Sequence, residues 1–472
     1  GSFVLLGLFP LIARLLVGWL AGRRKLASWD KPKRFDTNLI VIGAGSAGLV
    51  SALIAATVKA KVTLIERDKM GGDCLNTGCV PSKALIRSAR MARYAGRAEE
   101  FGLAPMTVQV RFSEVMRRVQ GVIKTIEPHD SVERFTSLGV DCVQGQAKIV
   151  SPWEVEVTGE RISAPRIVIA SGARPRIPEI PGLESVAYLT SDSVWSLQEL
   201  PSRLLVLGAG PIGCELAQAF AALGSKVTLV THAERIMPRE DPEVSERVER
   251  AFVSDGMEVI CGAEPERFVA GDEPSCQLAV AGGVRSIDFD TVLLAVGRTA
   301  NVENMGLESL GVACNAQGQV IVDDYLRTAM PTILAAGDVA GPYQFTHMAS
   351  QQAWYAAVNA LFGRFRKFRV DYSVVPWATF TNPEVGRVGL NETEARGKGI
   401  AYEVSRYDIS DLDRAIADGE AEGFVKVLTA PGSDRILGAT IVGYHAGELI
   451  SEFVMAMKHG IGLNKILGTI HI

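Results

Sequence analysis

Twice in this chain a short apolar strand runs into a glycine-rich turn, a helix with small residues on one side and a second strand. Few folds accommodate that order. The first copy reads as strand Thr37 to Ile42, turn Gly43-Ala44-Gly45-Ser46-Ala47-Gly48, helix Ser46 to Val58 and strand Lys61 to Ile65, closed by Glu66. The second reads as strand Leu204 to Leu207, turn Gly208-Ala209-Gly210-Pro211-Ile212-Gly213, helix Cys214 to Leu223 and strand Lys226 to Val230. In such a turn the first glycine permits the bend, the second lets backbone approach a pyrophosphate, and the third lets helix and strand pack closely. One copy alone is weak; two in the right context predict two dinucleotide sites. Glu66 suits the two ribose hydroxyls of an adenosine, as in FAD or NAD. Its counterpart is Thr231, followed by His232 and Arg235, so the carboxylate that would repel a 2′-phosphate is missing. That favours NADPH over NADH. The alternative is that these three are solvated loop residues and NADH binds through other contacts.

The length of 472 residues exceeds one hydrophobic core, and 47 glycines with 47% apolar residues fit an α/β chain rich in tight turns. The expected fold is α/β: two Rossmann-like dinucleotide-binding domains plus a C-terminal α+β dimerisation domain. Residues 1–35 read as a hydrophobic segment and basic linker. An FAD-binding domain takes 36–185 and 314–368, an NAD(P)-binding domain 186–313, and an interface domain, read as truncated, 369–472. The proline-rich Ala173 to Pro181, then Pro201, Pro376 and Pro383, mark the boundaries. A net charge of −4 and no basic stripe with interleaved aromatics argue against a nucleic-acid partner. Seven scattered cysteines fit a reducing compartment rather than a secreted disulfide framework. Phe3 to Leu20 is apolar except for Pro10 and Arg14, and Arg23, Arg24, Lys25, Lys31, Lys33 and Arg34 follow it. It reads as the end of a transmembrane helix, an interfacial helix or a signal-like segment, with the remainder held on the cytoplasmic side. A helix packed on its own protein or on a partner subunit is the competing reading. The opening Gly-Ser, without an initiator methionine, reads as an expression scar or as a cut from a longer chain.

A cysteine pair lies a few residues past Glu66, in Gly-Gly-Asp-Cys-Leu-Asn-Thr-Gly-Cys-Val-Pro-Ser-Lys, as Cys74 and Cys79. It falls at the expected start of a helix through Ala84 to Ala92, where the dipole and open amide groups favour a thiolate. A pair of buried thiols, or two of four metal ligands, are the competing readings. No His pair or second Cys-x-x-Cys completes a zinc set, so no metal site is expected. Cys142, Cys214, Cys261, Cys276 and Cys314 read as core residues.

Gly71 to Leu85 resembles the active-site signature of the class I pyridine nucleotide-disulfide oxidoreductases, which include dihydrolipoamide dehydrogenase, glutathione reductase and mercuric reductase. Ile169-Ala170-Ser171-Gly172-Ala173 and Leu294-Ala295-Val296-Gly297-Arg298 are similar to that family's crossover segments, and Ala336-Gly337-Asp338 to its second flavin motif. The resemblance covers nearly all of the chain after residue 36. It implies FAD at Gly43, Gly45, Ser46, Gly48, Glu66, Gly72, Ser171 and Gly172, with Asp338 on the ribityl chain and His347 in a helix start aimed at the flavin pyrimidine. It implies NADPH (or NADH) at Gly208, Gly210, Gly213, Thr231, His232, Arg235 and Gly297. Lys83, paired with Glu215, would sit near flavin N5. Cys79 would be the flavin-side thiol and Cys74 the one that exchanges with substrate. A homodimer and a small-molecule or protein disulfide, dithiol or metal substrate follow from the same likeness.

The C-terminus departs from this pattern. Family disulfide reductases usually end with a His-Pro motif whose histidine, supplied by the partner subunit, is the acid-base catalyst, and this chain stops at Ile470-His471-Ile472. In one register the catalytic position is 473, past the end; in a shifted register it is His471 itself. The C-terminal cysteine pair typical of mercuric reductases is not in this sequence. Two rival functions are a membrane diaphorase or quinone reductase that bypasses the cysteines, and a membrane-tethered nucleotide sensor without enzyme activity.

Overall fold

A computed structural model describes residues 25–471. The segment Phe3 to Leu20, with Arg23 and Arg24, lies outside the described residues. The chain divides into two compact units, one of residues up to Asn76, Lys124–Arg174 and Thr299–Val370, the other of Thr77–Ile123, Pro175–Arg298 and Asp371 onward.

In the first unit, five parallel strands lie in the order Ile333–Ala335, Ile167–Ile169, Leu39–Ile42, Val62–Glu66 and Val140–Gln144. Of the three central strands, Ile167–Ile169 and Leu39–Ile42 are wholly apolar and Val62–Glu66 is buried up to its last residue, because helices and loops cover both faces, which is usual for parallel sheets. Ile40, Ile65, Ile167 and Ile333 are fully or almost fully buried in one core cluster. The first glycine-turn helix, Ser46–Thr57, packs against Thr346–Phe362; its buried face is mostly Ala and Gly, so the two helices approach closely.

The second unit repeats the plan. Its parallel sheet runs Glu258–Ile260, Lys226–Val230, Arg203–Leu207, Thr291–Leu294 and Tyr188–Thr190. Both sheets reverse strand order beside the strand that feeds the glycine turn, the crevice where doubly wound sheets bind nucleotides. The same unit holds an antiparallel sheet, Pro376–Thr379, Glu384–Gly389, Ile436–Gly443, Phe424–Thr429 and Glu403–Asp408, with helix Ala446–Lys458 against it. A buried lysine helps join this sheet to the nucleotide fold. Lys426 Nζ donates to Asp241 at 2.6 Å and Glu392 at 3.0 Å, and also to Glu243. The three carboxylates could otherwise hold a cation; the ammonium group occupies their common point.

Candidate functional site

The two glycine turns repeat in atomic detail. Gly43 N donates to Ile65 O and Gly208 N to Val230 O, both at 2.8 Å. Their φ values are +101° and +102°, which only glycine adopts without strain. A Cβ on Gly48 or Gly213 would come closer than 3.0 Å to the carbonyl oxygen of Gly43 or Gly208. This backbone equivalence sets Glu66 opposite Thr231, as the sequence spacing expects.

In the first unit, Glu66 is oriented by the turn it serves: one carboxylate oxygen accepts from Ala44 N at 2.6 Å, the other from Asp68 N at 2.8 Å. Each oxygen retains a lone pair for a further donor. Gly45 faces Gly72 so closely that a Cβ on Gly72 would lie 2.6 Å from Gly45 Cα, leaving a side-chain-free cradle at the start of helix Ser46–Thr57. That helix has no acidic residue in its first turn, so its N-terminal field is open to an anion. Ser171 and Gly172 are fixed by Asn301: Ser171 Oγ donates to Asn301 O at 2.6 Å, Asn301 Nδ2 to Ser171 O at 2.9 Å, and Asn301 N to Gly172 O at 3.0 Å. Gly337 N donates to the buried Gln352 Oε1 at 2.6 Å, holding the turn before half-buried Asp338. His347 lies in the first turn of Thr346–Phe362, stacked on Phe345 at 5.3 Å, and that turn too lacks acids. Cys74 is half-buried in the short helix Gly72–Asn76. A dinucleotide fits this set: a glycine cradle, a ribose acid and two helix starts on one sheet edge.

In the second unit, Cys79 is the first residue of an eighteen-residue helix, Cys79–Gly96, again without an acid in the first turn. The preceding turn is bolted down by Trp195, whose Nε1 donates to Thr77 O at 2.8 Å and Ser191 O at 2.7 Å. One turn further, Lys83 Nζ meets Glu215 Oε2 at 2.8 Å. Glu215 is buried in the second glycine-turn helix, Pro211–Ala222, where its other oxygen accepts from Phe380 N at 2.9 Å. Lys83 Nζ also lies 4.6 Å from the Phe380 ring centre. The expected Lys83–Glu215 pair is present, and the structure adds Phe380 and Trp195, which no local sequence signal indicates. Gly210 begins the helix with nothing within 4 Å of a Cβ built on it, and Gly297 has equally open space.

Thr231 is buried and its Oγ1 accepts from Ala233 N at 3.2 Å; His232 is exposed. Arg235 donates through Nη2 to Pro238 O and Glu240 O, each at 3.2 Å, while its buried Nε has no hydrogen-bond partner among the described residues. His471 is exposed; its Nε2 lies 2.6 Å from Glu452 Oε1 and its Nδ1 2.8 Å from Thr469 O. The Glu452 carboxylate raises its pKa above the ordinary histidine value. Of the five cysteines read as core, Cys214 and Cys276 are buried, with burial pushing the Cys276 thiol up to about 12. Cys142 and Cys261 are half-buried. Cys314 is exposed, so the core reading fails there: it precedes a loop rather than closing an apolar strand.

Together the paired dinucleotide folds and the helix-start thiol define a nucleotide-dependent redox protein. Residues 37–353 match the family described as pyridine nucleotide-disulphide oxidoreductase, and 375–472 match its dimerisation domain. Mercuric reductase of Bacillus cereus is 35% identical over 448 residues, covering 95% of this chain and 71% of that protein. Dihydrolipoyl dehydrogenase of Chlamydia muridarum is 36% identical over 439 residues, covering 92% of each. The solved HOCl-induced flavoprotein disulfide reductase RclA from Escherichia coli superposes with a TM-score of 0.82 at 28% identity, covering 92% of this chain and 96% of that one. The chain belongs to the pyridine nucleotide-disulphide oxidoreductase family. It is an oxidoreductase that passes electrons from NAD(P)H through FAD and a redox-active disulfide to a substrate. Its dimerisation domain supports a homodimer. Among the described residues, no helix is long and apolar enough to cross a membrane.

Proposed function

We propose that Cys74 and Cys79 form the redox-active disulfide, with Cys79 on the flavin side and Cys74 exchanging with a disulfide substrate. The observation that carries this reading is Cys79 at the start of a long helix, one turn ahead of a lysine held by a buried glutamate. Bound FAD would take a hydride from the reduced nicotinamide and supply two electrons to the Cys74–Cys79 bond. The helix N-terminus stabilises the Cys79 thiolate so formed. Cys74 attacks the substrate disulfide, one substrate thiolate leaves with a proton, and a mixed disulfide remains. Attack by Cys79 on Cys74 Sγ releases the second substrate thiol and restores the pair, so two electrons have crossed. His471, charged more readily beside Glu452, is the proton carrier nearest to the family's position in this chain.

The first unit's glycine cradle, Glu66 and Asp338 hold FAD in this reading, and Gly208, Gly210, Gly213, Thr231, His232, Arg235 and Gly297 hold the nicotinamide nucleotide. NADPH is the preferred donor, supported by the absent carboxylate at Thr231. The substrate class in this reading is a disulfide, a dithiol or a metal ion, the range that the family likeness allows. We further infer that Phe3 to Leu20 meets a membrane, holding the enzyme on its cytoplasmic side.

Replacing Cys74 tests the thiol roles. Cys74→Ser should keep NADPH-driven flavin bleaching under anaerobic conditions while disulfide reduction falls to background. Equal loss of both would refute the assignment, and so would retained disulfide reduction, because Cys74 would then not be the exchanging thiol.

A further inference from the structure

The first unit has a basic face that none of this chemistry uses. It lies at the N-terminal ends of the parallel strands, where Ile40 N donates to Arg166 O and Ile167 N to Thr332 O. The Gly43–Gly48 turn and Asp338 leave from the opposite ends. The expectation of no basic stripe with interleaved aromatics fails here: Arg364-Phe365-Arg366-Lys367-Phe368-Arg369 follows helix Thr346–Phe362 directly. All but Phe368 are exposed, and Phe365 is 85% exposed.

This segment is fixed in place. Asn359 Nδ2 donates to Phe368 O at 2.8 Å and to Tyr325 O at 3.1 Å, and Val370 N donates to Asp324 O at 2.9 Å. Those bonds bring it beside Arg327 and Arg166. Burial lowers the Lys367 pKa, and the Arg327 charge lowers it further, with Arg166 adding to the effect. Asp323 pairs with Arg327 and Asp324 with Arg369, leaving the face in cationic excess.

A second, independent observation places the start of the described chain on it. Lys25 Nζ donates to Ala329 O at 3.1 Å, and Leu26 and Trp29 pack on the core cluster that contains Met330 and Ile333. The described chain therefore starts on this same face, five residues after the apolar run that ends at Leu20.

We propose that this face docks on an anionic phospholipid surface, with the Arg364–Arg369 cations among the headgroups and Phe365 at their level. Lipid is favoured over nucleic acid because the described chain begins at this face, five residues after the apolar run that ends at Leu20. Docked this way, the Gly43–Gly48 turn of the same unit faces away from the membrane. The inference rests on the membrane reading of Phe3 to Leu20.

The test uses the full chain, holoenzyme, and vesicles of phosphatidylcholine with or without about 30 mol% phosphatidylglycerol, an anionic surface that attracts basic residues. Each cation near such a surface contributes about fivefold in partition, so Arg364→Gln/Arg366→Gln/Lys367→Gln should weaken sedimentation with anionic vesicles about a hundredfold. Its FAD content and NADPH oxidation should stay at wild-type levels, which excludes misfolding. Phe365→Ser should weaken binding further. Equal binding of wild type and triple variant, or equal binding to neutral and anionic vesicles, would overturn this face while leaving a membrane contact through Phe3 to Leu20. No vesicle binding at all would overturn both. Displacement of the bound enzyme by duplex DNA at sub-micromolar concentration would overturn the choice of lipid.

Discussion

Gly210→Ala and Gly213→Ala should fail in different ways although they stand three residues apart in one turn. At Gly213 an added methyl would come closer than 3.0 Å to Gly208 O and 3.3 Å from Ala295 Cβ, so helix Pro211–Ala222 must lift from its sheet. Forcing a methylene into a packed site costs about 1–3 kcal/mol, and more where the obstacle is backbone. For a unit of this size that is a fall of roughly 3–10 °C in Tm. Gly210 has φ −76° and ψ 179°, open to any residue, and nothing lies within 4 Å of its built Cβ. Its alanine variant should therefore keep its stability within about 0.5 kcal/mol. A pyrophosphate must approach that backbone, however, so the KM for NADPH should rise at least about tenfold, equivalent to about 1.4 kcal/mol. Thermal melts and steady-state kinetics read the two quantities separately. The reasoning is refuted if Gly210→Ala melts early with Gly213→Ala, or if it folds and its KM is unchanged.

Lys426→Met should cost about 3–5 kcal/mol, because Asp241, Glu243 and Glu392 would be left without their shared cation; urea midpoints measure it. Burial pushes Asp241 up, but hydrogen bonds from Lys426 and Thr393 outweigh it and the net direction is down. Burial lowers Lys426, and its bonds to Asp241, Glu243 and Glu392 outweigh that to raise it. The carboxylate share is thus present above an unfolded value of about 3.9 and lost as pH falls through the lower folded one; the lysine share is present below about 10.4 and lost as pH rises through the higher folded one. A stability profile that changes between those limits because of this cluster would contradict the assignment. Thr231→Glu should restore the acid that Glu66 supplies in the first turn and shift the NADPH-to-NADH ratio of kcat/KM towards NADH by at least about tenfold; an unmoved ratio would leave the preference elsewhere. Glu452→Gln should bring the His471 titration down towards about 6.5, read from its imidazole NMR signals.

What could be read in advance is what is local in sequence. Lys226–Val230 was expected at those bounds, and Leu39–Ile42, Ser46–Thr57 and Val62–Glu66 fall within two residues of expectation, because each rests on apolar period and adjacent glycines. The second turn is similar, except that its helix begins at Pro211 rather than Cys214. Proline needs no amide partner in a first turn, so it starts the helix that it had been read as preceding. Two antiparallel strands were legible in the same way: the alternating segments Gly423 to Leu428 and Ile436 to Val442 lie within one residue of the strands Phe424–Thr429 and Ile436–Gly443.

The site divides the same way. Glycines, Glu66 and the two cysteines carry their chemistry in adjacent residues, and these were named. Trp195 reaches Thr77 across 118 residues, Phe380 reaches Glu215 across 165, and Lys426 reaches Asp241 across 185; each is a long-range bond with no local pattern. The basic Arg364–Arg369 run was local and still missed, because net charge averages over the whole chain while a surface reads only its own face. Its meaning came from Lys25 and Ala329, which the sequence separates by 304 residues and one hydrogen bond joins. Composition can exclude a partner for the molecule only where charge is spread evenly, and folding is what makes it uneven.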